Sequence, residues 1–175
     1  MVLIALWGCA PKAPAVSATA PVAVDVAWVA APMGDLPPRD APAALADALE
    51  PLLRARNLQP VRVPAAEWAA PFDARDLPEQ RASWLAARAG AADAVLLADL
   101  SPRYFGFVNG RYRWTVTAEL WLVDPHAPTH TVTDRFEVPT YLTWDHERDD
   151  AALLAAAPLI GRHLEDLAED WIGGQ

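Results

Sequence analysis

The chain has 175 residues, a net charge of −9 and a pI near 4.7. This acidic balance argues against nucleic-acid binding, which needs a basic face that displaces counterions. No apolar run approaches the ~20 residues of a membrane-spanning helix, and a domain of ~150 residues can bury a core without disulfides or metals.

The amino terminus resembles a bacterial lipobox. The apolar segment VLIALW, residues 2–7, leads into Gly8 and then Cys9, the single cysteine of the chain. In a lipobox a small residue precedes the cysteine that is lipidated and becomes amino-terminal, so residues 1–8 are interpreted as a signal peptide. This segment is short and carries no basic residue, which a start codon assigned too far downstream would explain. The alternative is a free cysteine in a frayed tail.

Residues 10–21 are rich in Ala, Pro, Ser and Thr, which predicts an extended tether between Cys9 and a single globular α/β domain at 22–175. At ~3.1 Å per residue the tether would hold the domain up to about 35–40 Å from a lipid anchor. Ala10, in place of Asp, follows the cysteine. By the enterobacterial sorting rule this indicates the periplasmic face of the outer membrane.

A strand–helix–strand unit opens the domain. Alternating apolar residues predict a strand at Val22–Ala30, and a short second strand is predicted at Gln59–Val63. Between them, leucines at helical spacing predict a helix over Ala41–Asn57 with Asp40 as its cap. Pro51 is predicted to kink or split this helix, because proline removes a backbone donor.

A second strand–helix–strand step follows. Trp68 and Phe72 are predicted to plug onto the core from an irregular segment. For the next helix, Asp76 and Glu79 have capping-box spacing, Pro78 lies in the first turn, and Gly90 is predicted as the C′ residue. The apolar run Asp93–Leu100 predicts a strand covered on both faces. Two such steps in a row predict parallel pairing with right-handed crossovers.

Asn109-Gly110 predicts a type I′ hairpin turn, because these residues best tolerate the positive φ angles that it needs. The strand after the turn alternates for ten residues, which indicates a β-strand. The turn's register predicts two aromatic cross-strand pairs on one side: Phe107 with Tyr112, and Phe105 with Trp114.

Carried further, the same register would place polar Asp99 and Ser101 opposite residues of an apolar face. Pro102 cannot donate to a strand ladder, so a β-bulge is predicted near Ser101-Pro102. One extra residue there would return the alternating apolar side chains to a common face: Leu96, Ala98 and Leu100 opposite Leu122, Leu120 and Ala118.

A fifth strand at Thr131–Val138 and a long helix from Asp149 to Ile172 complete the chain. The helix carries one apolar stripe: Leu153, Ala157, Ile160, Leu164, Leu167 and Trp171. The predicted fold class is α/β (α+β), a mixed five-stranded sheet in the order β-α-β-α-β-β-β-α with helices packed on it.

Two stretches resemble small bacterial envelope lipoproteins. Residues 89–97 (AGAADAVLL) are similar to their "GADAVL" strand, and residues 120–124 (LWLVD) to the "LVD" that ends a later strand. The group includes the curli secretion lipoprotein, the penicillin-binding-protein activator lipoprotein, the amino-terminal domain of TolB and a neisserial-type lipoprotein family. The resemblance implies an accessory or assembly role in the envelope, through oligomers or a protein partner and without catalysis.

The sequence offers little catalytic or metal chemistry. His126 and His130 lie near Asp124, but Pro125 and Pro128 exclude the helix that would align both rings on a metal, so solvated turn residues are favoured. A polar cluster before the last helix is explained by the helix dipole: Asp145, His146, Glu147, Asp149 and Asp150. No serine lies in a nucleophile elbow, and no glycine-rich phosphate loop follows the first strand. We therefore predict no enzyme, no cofactor and no metal.

The candidate binding residues are aromatic and arginine side chains around the hairpin, the types enriched at interface hot spots. They are Arg103, Tyr104, Phe105, Phe107, Tyr112, Arg113 and Trp114. Either the aromatics cap the core, or the tip projects and binds a partner, another copy of the chain or a membrane surface.

Two functions remain open at this point. The first is a lipid-anchored periplasmic accessory or scaffold protein with a protein partner or self-association. The second is a periplasmic domain that binds a small molecule or polysaccharide. Its pocket would lie at the carboxyl ends of the parallel strands, near Met33, Gly34 and Pro64.

Overall fold

The computed structural model describes residues 20–31, 37–68, 77–143 and 148–174. These residues form a mixed six-stranded sheet with helices on both faces, which confirms the α/β class. In chain order the elements are β1 (Val22–Ala30), β2 (Arg39–Asp40), α1 (Ala43–Ala55), β3 (Leu58–Arg62), α2 (Ala65–Trp68), α3 (Pro78–Ala86), β4 (Ala94–Val108), β5 (Arg111–Val123), β6 (Thr131–Leu142) and α4 (Asp149–Gly173). The two elements that the sequence does not predict, β2 and α2, are too short to show a period.

β1 pairs with three other strands of the sheet. It pairs in parallel with β3 and β4 and briefly in antiparallel with β2, while β4, β5 and β6 form an antiparallel meander. The parallel pairing confirms the prediction from the two strand–helix–strand steps. The sheet order is β2-β1-β4-β5-β6, with β3 also beside β1.

The larger core lies where α1 and α4 cover the sheet, which we call the α1/α4 face. Its fully buried residues include Val26, Leu96, Leu120, Ile160 and Trp171. All six residues of the predicted α4 stripe are buried, because α4 lays that stripe along the sheet. The opposite, α2/α3 face has a smaller core around Val29, Leu97, Trp68, Leu85 and Trp121.

The predicted start and split of the first helix are wrong. α1 begins at Ala43 after Pro42 and continues unbroken through Pro51. Buried leucines on both sides of Pro51, Leu49 and Leu53, hold the two halves of α1 in the core, and this packing outweighs the missing backbone donor. Asp40 instead lies in β2, where its Oδ1 accepts a 2.6 Å hydrogen bond from the N–H of Ala65 at the start of α2.

The predicted end of the next helix is also wrong. α3 ends at Ala86, and the Ala87 N–H still donates to the Ser83 carbonyl in a right-handed helical conformation. The last turn therefore needs no left-handed residue, and Gly90 is not a cap. Trp68 is 3% exposed and packs on the α2/α3 face, as predicted. The capping-box residue Asp76 and the second plug, Phe72, lie outside the described residues.

The hairpin turn has the predicted geometry. Asn109 and Gly110 have φ angles of 53° and 78°, positive as a type I′ turn requires. Phe107 pairs with Tyr112 as predicted. The predicted pair of Phe105 with Trp114 is wrong, because Tyr104 takes the place opposite Trp114.

The β-bulge exists, but it lies at Phe105 and not at Ser101-Pro102. The register shifts between Tyr104 and Gly106, and Gly106 has a φ of 133°, which glycine adopts with least strain. The predicted consequence is confirmed, since the apolar residues do share one face. The pairs are Leu96–Leu122, Ala98–Leu120 and Leu100–Ala118.

Candidate functional site

The hairpin tip, defined as residues 103–114, carries exposed aromatic side chains. The exposed fractions are 58% for Phe105, 61% for Phe107 and 42% for Tyr104, whereas Trp114 is 7% exposed and belongs to the core. Core capping therefore accounts for Trp114 but not for the two phenylalanines. An exposed apolar cluster of this kind is typical of a binding surface.

One side of the tip, continuous with the α1/α4 face, is an aromatic ladder. Ring centroids are 5.3 Å apart for Tyr104 and Trp114, and 4.9 Å apart for Phe107 and Tyr112. Tyr104 also lies 6.4 Å from Tyr112. These separations are normal for interacting aromatic pairs, so the buried Trp114 supports the exposed rings in fixed positions. We call this the aromatic side.

The other side of the tip is cationic. The guanidinium carbons of Arg103 and Arg113 lie 5.7 and 5.1 Å from the ring centroid of Phe105. The bulge places Phe105 here, because the extra residue in β4 reverses the alternation that would have put this ring beside Trp114. We call this the arginine side.

The tip differs in charge from the rest of the chain. Residues 100–118 include three arginines and no Asp or Glu, within a chain of net charge −9. Elsewhere the arginines commonly pair with carboxylates of the chain, as Arg39 does with Asp149 and Arg56 with Glu165. In the described part of the chain, the three tip arginines form no ion pair: Arg103, Arg111 and Arg113.

A half-buried ionic cluster on the α2/α3 face was not predicted. Arg81 of α3 donates to Glu119 at 2.6 Å and lies 3.5 Å from Asp99, the cross-strand partner of Glu119. The Trp121 indole donates to the same Glu119 oxygen at 2.9 Å, and the Arg81 guanidinium lies over the Trp121 ring. The pairing register of β4 and β5 is enough to place Asp99 opposite Glu119. No sequence pattern near these two residues indicates that Arg81 of α3 contacts them.

Burial raises the pKa of Asp99 above 3.8, the nearby Glu119 carboxylate raises it further, and the Arg81 charge opposes both effects. A raised carboxyl pKa means that the folded state holds the proton longer than the unfolded state. The contribution of Asp99 to stability is therefore greatest at acidic pH and is lost as pH rises through its folded pKa.

We expect Asp99→Asn to remove this loss. Urea unfolding over a pH series should show the variant gaining stability relative to the parent as pH rises from about 4 towards neutrality. Asp166→Asn, on the exposed side of α4, is the matched control and should give no such trend. A constant difference between Asp99→Asn and the parent at every pH would contradict the assignment.

A cavity lies at the carboxyl ends of β1 and β3, where the small-molecule hypothesis places it. Its volume is ≈ 320 Å³, and its lining residues are Trp28, Asp40, Ala41, Ala43, Ala46, Arg62, Val63 and Pro64. Met33 and Gly34 lie outside the described residues. The charged lining groups already bond within the chain, since Arg62 pairs with Glu50 and, at 2.5 Å, with Asp47.

The histidine pair lies in a hydrogen-bonded turn. The Asp124 carboxylate accepts the N–H groups of His126 at 2.7 Å and Ala127 at 3.1 Å, an Asx turn. The His130 ring stacks on Trp171, with centroids 5.4 Å apart. Among the described residues, no three His, Cys, Asp or Glu side chains are grouped so that they could hold a metal ion.

Part of the polar cluster before α4 is described. Asp149 and Asp150 accept from the Arg39 guanidinium at 2.9 and 2.6 Å, so they fasten the start of α4 to β2. Asp145, His146 and Glu147 lie outside the described residues, as does Cys9. No helix in the described ranges has the length and apolar character needed to span a bilayer.

No family model matches the chain, and no curated protein matches its sequence. Solved structures with a similar chain path include the PelC dodecamer from Paraburkholderia phytofirmans, at 17% identity and a TM-score of 0.45, over 85% of this chain and 88% of that one. Lipoprotein GNA1162 from Neisseria meningitidis is 14% identical, with a TM-score of 0.46 over 83% and 99%. The hypothetical protein CT253 from Chlamydia trachomatis is 12% identical, with a TM-score of 0.44 over 84% and 98%. At these scores, the likenesses carry no functional argument.

Proposed function

We propose that this protein is a lipid-anchored accessory or scaffold protein of the bacterial cell envelope. It is held by Cys9 at the periplasmic face of the outer membrane and works through protein–protein contacts without catalysis. The lipobox resemblance and the Ala/Pro-rich tether at 10–21 support the anchor.

The hairpin tip is the observation that carries the binding role. Phe105 and Phe107 are more than half exposed, and they stand on a base that is fixed by the core residue Trp114. Rigid aromatic and arginine side chains are the residues that dominate binding energy at protein interfaces. Contacts with Tyr112 and Arg113 restrict the rings of Phe107 and Phe105. Binding of a partner would therefore lose less side-chain conformational entropy than binding to unrestricted side chains.

The anchor is tested by metabolic palmitate labelling of the parent and of Cys9→Ala. We expect globomycin-sensitive processing and labelling of the parent, and loss of both label and membrane association in Cys9→Ala. Membrane association that is unchanged in this variant would contradict the lipid anchor.

The protein partner is tested with a photocrosslinking amino acid at position 107, on the aromatic side of the tip. The matched control carries it at Val61, which is 54% exposed on the edge strand β3, away from the hairpin tip. We expect a discrete crosslinked species from position 107 only, and its loss when Tyr104 is changed to Ser. Equal crosslinking at both positions would contradict a specific surface at the tip.

The second candidate function is binding of a small molecule or sugar at the cavity beside Trp28. The volume of ≈ 320 Å³ lies at the lower end of ordinary ligand pockets, about 300–1,000 Å³, and supports this candidate. It ranks second because Arg62 is engaged by Asp47 and Glu50.

Ala43→Trp would narrow the cavity beside Trp28. Thermal-shift screening of ligands against the parent and against Ala43→Trp therefore tests whether the cavity binds a small molecule. A ligand that stabilises both forms equally does not use the cavity.

A further inference from the structure

The arginine side of the hairpin tip holds two guanidinium groups that pair with no carboxylate of the described residues. Arg103 and Arg113 form no ion pair in the described ranges, and the Arg113 Nε is buried without a hydrogen-bond partner. A buried donor without a partner costs free energy. An anion supplied from outside the chain would bind the terminal N–H groups of the same guanidinium, which are not among the buried atoms.

The geometry gathers these charges in one place. Arg103 lies opposite Thr115, and Gly106 opposite Arg113, so the two arginines are diagonal neighbours across β4 and β5. Both guanidiniums lie within 6 Å of the Phe105 centroid. Like charges on one sheet face repel each other. A phosphate group between them would relieve that repulsion and accept hydrogen bonds from both forks.

The apex of the hairpin adds apolar surface beside these charges. Val108 is 40% exposed and pairs with Arg111 across the turn, on the same side as Arg113 and the 58% exposed Phe105. Aromatic side chains flanked by arginine are the types that favour the boundary between lipid headgroups and acyl chains. The remainder of the chain is more acidic than the whole, so an anionic surface would repel it and accept the tip.

We infer that the arginine side of the tip binds the phosphate headgroups of an anionic phospholipid surface, with Phe105 and the apex at the interface. The inference rests on the proposed lipid anchor, since a tethered domain is already close to a bilayer. It leaves the aromatic side of the hairpin free for a protein partner. The anchor would supply proximity, and the arginines would set the orientation of the domain.

The test is flotation of the full chain carrying Cys9→Ser, which removes the acyl anchor, with vesicles of defined composition. We expect binding to phosphatidylcholine vesicles that contain phosphatidylglycerol, little binding to pure phosphatidylcholine, and loss of binding in high salt. Arg103→Gln with Arg113→Gln should weaken binding about twenty-five-fold, because each basic residue near such a surface contributes roughly fivefold.

The matched control is Arg135→Gln with Arg162→Gln, which removes the same charge from exposed arginines on β6 and α4. The control should keep its affinity, and circular dichroism should show both double variants folded. Equal weakening by the two pairs, or equal binding to both vesicle types, would overturn the inference. Displacement by millimolar inorganic phosphate would assign the site to a free anion instead.

An acidic protein is the other possible occupant of the arginine side. If vesicles do not bind but a photocrosslinker at position 113 captures the species seen from position 107, the arginines contact the protein partner and the lipid assignment is overturned. Because the position 107 experiment does not depend on vesicles, failure of the lipid inference is distinguishable from failure of the proposed function.

Discussion

Leu120→Ala is expected to lower the free energy of unfolding by about 2–5 kcal/mol. Leu120 is fully buried on the α1/α4 face, with Ala98 as its neighbour on β4. Truncation removes apolar contacts and leaves a cavity that a small neighbour such as Ala98 cannot fill. Urea unfolding followed by tryptophan fluorescence measures the change through the shift of the midpoint.

Phe107→Ala is the control on the same hairpin, because it removes a larger side chain from an exposed position. Its free energy of unfolding should change by no more than about 0.5 kcal/mol, as for most surface substitutions. The base of β5 would then be structural, and the tip available for binding. A loss at Phe107 as large as that at Leu120 would show that the tip rings belong to the core.

Those parts of the fold that depend on long periodic patterns could be predicted from the sequence. The α4 stripe repeats over six apolar residues, and all six are buried in the structure. β5 alternates over about ten residues, and the Asn109-Gly110 turn fixes its partner strand. In each case many residues give the same signal, so one exception does not change the assignment.

Features that depend on single residues were harder to predict. Asp40 precedes a helix and has the side chain of a good cap, yet its carboxylate is bonded to the backbone of Ala65, 25 residues away. Gly90 follows a helix, yet the Ala87 N–H completes the last turn without it. Local sequence identifies residues able to cap a helix, but tertiary contacts decide whether they do so.

The candidate site shows the same division. Composition predicts that Arg103, Phe105 and Trp114 belong to one surface, but the structure buries Trp114 and places Phe105 with Arg103 on the opposite side. One extra residue in β4 is responsible, because a shift of one residue moves a side chain to the other face. The sequence predicts such a bulge, but the predicted position near Ser101-Pro102 is wrong.

Gly106→Ala is expected to lower the free energy of unfolding by about 1–3 kcal/mol, the usual cost of a side chain in a disfavoured backbone region. Gly106 has a φ of 133°, and an added Cβ would meet no atom within 4 Å. The loss would therefore come from backbone strain and not from a clash. Gly90→Ala is the matched control, since its added Cβ is equally free and its φ lies outside the left-handed region.

Deletion of Phe105 provides the decisive background for this substitution. Without the extra residue, Tyr104 opposite Trp114 and Gly106 opposite Arg113 become consecutive pairs, and position 106 no longer needs a positive φ. Gly106→Ala should then cost less than about 0.5 kcal/mol, the range of an unstrained surface change. The same variant should lose lipid binding, because the arginine side has lost the exposed apolar ring beside Arg103 and Arg113. A full cost of Gly106→Ala in the deletion background would mean that the bulge is not what imposes the strained backbone.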